Sequence, residues 1–271
     1  MKHLQNLHTH TTYCDGIDTP EEMIAHARAK GFDSLGFSGH SVMPFAPQFS
    51  MSEEGTLEYI REINAMKEKY KGEMDIYLGL ELEMYSRTDL SPYDYIIGSC
   101  HYFKMGERYV GYDRSAQEVR EVIDTEFGGD GIAFARAYYD NVSRLPELGR
   151  VDIIGHFDLI TKNCEKIRLF DPESKEYLDA AMSAIDALAG KIDLFEVNTG
   201  AISRGYRTSP YPTATLIKEF KRRGFGAVIS SDCHDGRYLD CHFEQSRALL
   251  EACGFKERYV LDDSGFKAVA L

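Results

Sequence analysis

Ile76-Tyr77-Leu78-Gly79-Leu80-Glu81-Leu82-Glu83 decides the fold, because an apolar run of strand length ends on two carboxylates. The same pattern recurs along the chain. His8-Thr9-His10 closes a run near residues 3–8, Gly39-His40 one near 34–38, Cys100-His101 one near 95–99, Gly155-His156 one near 151–155, and Asp232-Cys233-His234 one near 226–231. Another strand is predicted near 193–197. Amphipathic segments lie between them, the first opened by Thr19-Pro20-Glu21-Glu22, where Thr19 can cap, Pro20 fits the first helical position and Glu22 completes a capping box. Further helices are predicted near 53–70, 115–126, 131–147, 174–190, 212–223 and 243–252. Seven strands separated by helices imply a parallel sheet. An open sheet would spread the polar groups at its strand ends, whereas a ring focuses them on one point. A (β/α) barrel of about seven strands is therefore expected.

The chain has 271 residues, 43% of them hydrophobic, enough for a substantial core. No repeat or linker divides it, so one domain is expected, with residues 102–150 as an insertion after the fourth strand. Gly128-Gly129-Asp130-Gly131 within that insertion reads as a turn between two helices. A net charge of -13 argues against nucleic acid or an anionic membrane as partner. A small phosphate ester escapes that argument, because divalent cations would reverse the charge locally. The six cysteines show no Cys-x-x-Cys spacing and read as reduced thiols. Residues 1–7 lack the apolar centre of a secretory leader, and no stretch approaches the ~18 apolar residues of a membrane span. These features predict a cytoplasmic protein. No pattern specifies an oligomeric state.

His8 and His10 stand two residues apart, which on an extended strand end points both imidazoles to one side, with Cα atoms about 6.5–7 Å apart. Metal–nitrogen bonds of about 2.0–2.1 Å let both reach a single ion. Asp232 and His234 repeat the spacing. Thr9 and Cys233 must then face away, as must Cys100 beside His101. Glu81 and Glu83 share a face, and spacing does not choose between them, but a two-oxygen carboxylate suits a bridge between adjacent ions. Imidazole and carboxylate together fit zinc, manganese or iron. Arg204, beyond the sixth strand, and Arg168, beyond the fifth, are candidates for binding phosphate through their planar guanidinium groups. His242, eight residues past His234, is a candidate for the leaving-group proton, as is Asp232.

His8-Thr9-His10, Asp15, Gly39-His40, Gly79-Leu80-Glu81, His101, Gly155-His156-Phe157-Asp158 and Ser231-Asp232-Cys233-His234 resemble the ordered motif set of the PHP (polymerase and histidinol phosphatase) superfamily. The likeness spans essentially the whole chain. The length, the insertion and Phe195-Glu196-Val197-Asn198-Thr199-Gly200-Ala201-Ile202-Ser203-Arg204 are most similar to the monofunctional histidinol phosphatases. The resemblance implies a distorted, TIM-like (β/α)7 barrel with three divalent transition-metal ions. It implies His8, His10, Glu81 and Asp232 at the first ion, Glu81, His101 and His156 at the second, and Asp15, His40 and His234 at the third. It also implies hydrolysis of L-histidinol phosphate in histidine biosynthesis. The alternatives are a phosphatase or phosphodiesterase of the same superfamily acting on phosphotyrosine or nucleotides, and a non-catalytic metal-binding module.

Overall fold

Both faces of a parallel strand are buried when helices cover its outside, and strand β3 (Asp75–Glu83) shows how this chain meets that demand. Ile76, Leu78, Leu80 and Leu82 alternate into the large apolar layer shared with the helices. Tyr77 belongs instead to a second cluster with Leu7, Tyr95, Ile97, Ile153, Leu194 and Val228, drawn from around the ring. That cluster is the barrel interior.

The computed structural model describes residues 3–271; Met1 and Lys2, part of the stretch read for a leader, lie outside them. In chain order the elements are β1 (Gln5–Asn6), α1 (Pro20–Ala29), β2 (Ser34–Phe37), α2 (Glu53–Lys69), β3, β4 (Tyr95–Ser99), β5 (Tyr102–Met105) and β6 (Arg108–Gly111). There follow α3 (Ala116–Glu126), α4 (Gly131–Val142), β7 (Ile153–Ile154), α5 (Lys175–Leu188), β8 (Leu194–Asn198) and α6 (Gly200–Ser203). The chain ends with α7 (Ala214–Arg222), β9 (Gly226–Ser230), α8 (Phe243–Ala252), β10 (Glu257–Asp262) and β11 (Gly265–Ala270). The main sheet runs β1-β2-β3-β4-β7-β8-β9, parallel at every pairing. Closure comes just beyond the two outermost strands, through a bridge between Thr9 and Cys233 in which His10 N donates to the Cys233 carbonyl at 2.9 Å. Asn6 Nδ2 adds a 2.6 Å bond to Ser231 Oγ. The result is the expected distorted (β/α)7 barrel.

Tyr95 crosses the interior from β4 to the opposite strands. Its hydroxyl donates to the carbonyls of Leu7 at 2.5 Å and Phe37 at 3.2 Å. The ring fits because glycines flank it: a Cβ on Gly79 would lie 2.2 Å from Tyr95 Cζ, and one on Gly36 2.4 Å from its Oη. The antiparallel hairpin β10–β11 closes the amino-terminal end of the barrel, with Gln5 exchanging bonds of 2.8 and 2.7 Å with the Leu261 backbone.

Thr19 and Glu22 form the expected capping box, with Thr19 N 2.9 Å from Glu22 Oε2. Gly128-Gly129 is a turn after α3, and Asp130 caps α4 by accepting from Ile132 N and Ala133 N. The helix expected to reach residue 147 stops at Val142, and Pro146 opens a separate 3-10 turn over Leu145–Leu148. Two hairpins, β5–β6 and β10–β11, were not foreseen.

Candidate metal centre

All nine residues implied as ligands lie at the carboxyl ends of the strands, and their side chains meet. Each comes from a strand end or the loop beyond it, where alternation aims it inward while its neighbour turns out. Thr9 Oγ1 accordingly donates to the Gly36 carbonyl, and Cys100 and Cys233 are buried in the outer apolar layer. All six cysteines are free thiols.

Glu81 stands at the centre, and its two oxygens face different groups. Oε1 lies 2.9 Å from His156 Nε2 and 3.5 Å from His101 Nε2. Oε2 lies 2.8 Å from His40 Nδ1, 3.3 Å from His8 Nε2 and 3.4 Å from His10 Nε2. Asp232 Oδ1 is 3.2 Å from His10 Nε2 and 3.7 Å from His8 Nε2, and Asp15 Oδ1 is 3.2 Å from His234 Nε2 and 3.7 Å from His40 Nε2. Three groups of donor atoms are close enough to hold a metal ion: His8, His10 and Asp232; Glu81, His101 and His156; and His10, Asp15, His40 and His234. The third takes in His10, which the family likeness placed with the first ion alone.

Whether these residues fit a cation can be judged from their unused atoms. His8 Nε2, His10 Nε2, Asp15 Oδ1 and Glu81 Oε2 are buried, yet none makes a hydrogen bond. Buried polar atoms are almost always satisfied, so four orphans converging on one point need a partner of another kind, and a divalent cation supplies it. The electrostatics agree. Burial alone would push the Glu81 carboxyl up, but His40, His8 and the bond from His156 hold it well below the usual range. Asp232 is held low against its burial by Arg204 and His8. Burial, with His234 and His40 beside it, drives His10 down to about 3, which keeps its ring neutral and able to ligate.

A second layer of carboxylates orients the imidazoles. Glu83 Oε2 accepts from both the backbone N and Nδ1 of His101, each at 2.9 Å. Against the effect of burial, this bond and nearby Glu81 raise the His101 ring to about 9, so a cation at His101 Nε2 would have to displace a proton there. The ambiguity between Glu81 and Glu83 is thus resolved by direction: Glu81 enters the cluster and Glu83 holds His101. Glu196, also fully buried, accepts from His8 Nδ1 at 2.9 Å. Sequence reading passed over Glu196, although Glu196 and Asn198 repeat at the end of β8 the two-residue spacing that marked His8 and His10.

A cavity of about 240 Å³ opens over the cluster, its outer wall including Phe49, Tyr102, Asp113, Lys162, Arg204 and Tyr206. Arg204 Nη1 donates to the Asp232 carbonyl at 2.8 Å, and Nη2 lies 3.2 Å from Asp232 Oδ2. Lys162 Nζ pairs with Asp113 Oδ1 at 2.7 Å and sits 4.2 Å from the centroid of Tyr206. The other two candidates are corrected. Arg168 is exposed and outside the cavity wall; the chain turns through Leu159–Thr161 after β7 and brings Lys162 to the cavity instead. His242 is exposed at the opposite end of the barrel. The turn Gly236–Tyr238 leads the chain down α1, Asp240 pairs with Lys30, and Phe243 packs on Phe32, both of which precede β2.

The PHP domain family model matches residues 6–200. The chain belongs to the PHP family. A Deinococcus radiodurans protein named probable histidinol-phosphatase is 31% identical over 248 residues, covering 86% of this PHP chain and 87% of that protein. The Bacillus subtilis histidinol-phosphatase is 24% identical over 270 residues, covering 91% and 98%. Among solved structures, the Lactococcus lactis histidinol phosphate phosphatase, in complex with zinc, L-histidinol and phosphate, superposes with a TM-score of 0.72 at 21% identity, over 97% of this PHP chain and 98% of the other. Among the described residues of this PHP chain, no helix is long and apolar enough to cross a membrane.

Proposed function

We propose that this chain is a metal-dependent phosphomonoesterase that hydrolyses L-histidinol phosphate to L-histidinol and phosphate, a reaction of histidine biosynthesis, in the cytoplasm. The observation that carries the reading is the divided Glu81 carboxylate, which faces His101 and His156 with one oxygen and His8, His10 and His40 with the other. His8, His10, Asp15, His40, Glu81, His101, His156, Asp232 and His234 would hold up to three zinc, manganese or iron ions, with Glu81 as bridge. Such ions, when bound, act as Lewis acids toward the phosphoryl group.

The remaining chemistry belongs to the chain. Arg204 places its guanidinium edge beside Asp232 and His234, at the border between cluster and cavity, where it can bind phosphate oxygens in a fork. Asp232, buried and ionised, can accept the proton given up by the attacking water and hand it on to the leaving oxygen. L-histidinol phosphate carries an ammonium and an imidazole as well as the phosphate, and the outer wall answers both: Asp113 offers a carboxylate, and Phe49, Tyr102 and Tyr206 offer aromatic surface. A nucleotide has no ammonium to offer Asp113, and phosphotyrosine has no imidazole for the aromatic wall.

A phosphate-release panel after reconstitution with zinc or manganese tests the assignment. Histidinol phosphate should exceed phosphotyrosine and nucleotides in kcat/KM by orders of magnitude. Equal rates on all three would overturn the substrate.

A further inference from the structure

We infer that Glu196 is a positioning residue that fixes the tautomer of His8 and ties it to His156, so that two parts of the metal centre are set by a single buried carboxylate. The inference rests on the metal-centre reading above. Glu196 is 1% exposed, lies one turn of alternation below the cluster and touches four groups. Oε1 accepts from the backbone N of His156 at 2.6 Å and from Asn198 Nδ2 at 2.8 Å. Oε2 accepts from His8 Nδ1 at 2.9 Å and from Ser230 Oγ at 2.5 Å.

Three partners donate, the His156 N–H, Asn198 Nδ2 and the Ser230 hydroxyl, and the fourth, His8 Nδ1, is able to. Only an acceptor-only group satisfies them together, which is why a carboxylate, costly to bury, occupies a place where glutamine would otherwise be cheaper. Because an ionised carboxylate cannot donate, the hydrogen of this bond sits on His8 Nδ1, and the lone pair of His8 is on Nε2. That is the atom that points at Glu81 and Asp232 and is left without a hydrogen bond.

The glutamine variant exposes the logic. On the Oε1 side its amide nitrogen would meet the His156 N–H, which cannot turn round, and Asn198, whose flip is opposed because its Oδ1 accepts from Gly200 N and its Nδ2 faces Asp232 Oδ2. The amide nitrogen therefore goes to the other side. There the Ser230 hydroxyl can rotate to accept, and His8 Nδ1 can accept only by moving its proton to Nε2. Glu196→Gln thus turns an N–H, in place of a lone pair, toward the cluster.

Zinc is measured in wild-type holoenzyme and Glu196→Gln by competition with a chromophoric chelator. Nitrogen-15 spectra of the zinc-depleted full chain, recorded at a pH where the His8 ring carries a single proton, report its tautomer. Glu196→Gln should weaken zinc about 10–100-fold at the site containing His8 and move the His8 proton from Nδ1 to Nε2. Added zinc should restore turnover to Glu196→Gln, which a merely misfolded variant would not recover. Wild-type zinc affinity with the proton still on Nδ1 would overturn the positioning role. A wild-type chain that holds no zinc would instead overturn the metal-centre reading itself.

Discussion

Replacing Arg204 by alanine removes a guanidinium placed between cluster and cavity, and the structure sets the size of the effect. A hydrogen bond involving a charged group contributes about 1.5–3 kcal/mol, and each 1.36 kcal/mol is tenfold in rate, so losing one phosphate contact should lower kcat/KM about 10- to 150-fold. The side chain of Arg204 is 32% exposed, and partial screening by water favours the lower half of that range. Metal content should survive, since Arg204 grips Asp232 through Oδ2 and the carbonyl, while Oδ1 is the oxygen turned to His10. Arg204→Lys should recover only part of the loss, because an ammonium keeps the charge but not the fork. The assay is phosphate release from histidinol phosphate well below KM, with zinc counted in the same samples. A kcat/KM within threefold of wild type at full metal content would refute phosphate binding by Arg204.

Dialysis against a chelator should abolish turnover and zinc or manganese should restore it; a fully active, metal-free preparation would refute the centre. Asp113→Asn should raise KM for histidinol phosphate while leaving a simple aryl phosphate unaffected, as a substrate panel would show. Burial pushes the Asp113 carboxyl up, but Lys162 and His101 bring it down to about 2. The folded-state value lies below the unfolded one, so the stabilisation is complete above about pH 4 and lost as the pH falls through 2. The difference in Tm between wild type and Asp113→Asn should narrow accordingly from pH 5 to pH 2.5. Tyr95→Phe leaves the buried carbonyls of Leu7 and Phe37 with one donor fewer and should cost about 1–3 kcal/mol in urea unfolding. Gly79→Ala drives a methyl into the Tyr95 ring and should cost about 3 kcal/mol or more.

The ring of strands was legible because its polar residues sit where apolar runs stop, and that depends only on local order along the chain. Direction was harder. Glu81 and Glu83 share a face, and only the neighbouring strand reveals that one meets five imidazoles while the other bonds His101. His242 was misplaced because distance along the chain says nothing of its path once the turn at Gly236–Tyr238 redirects it. Glu196 was overlooked because a carboxylate in an apolar strand announces its burial only when four donors from elsewhere are seen around it. The two hairpins are each joined by two residues, Gly106–Glu107 and Asp263–Ser264, turn signals that a search for strand–helix alternation does not weigh.

The narrow seam between Thr9 and Cys233 has a consequence for synthesis. The Asn6–Ser231 contact beside it joins positions 225 residues apart, so the ring stays open until Ser231 and Cys233 have left the ribosome. A nascent chain can present His8 and His10 long before Asp232 and His234 exist to meet them. Completion of the two donor groups that share His10 is therefore deferred until Asp232 and His234 emerge, and translation products that stop short of them carry an unfinished nest.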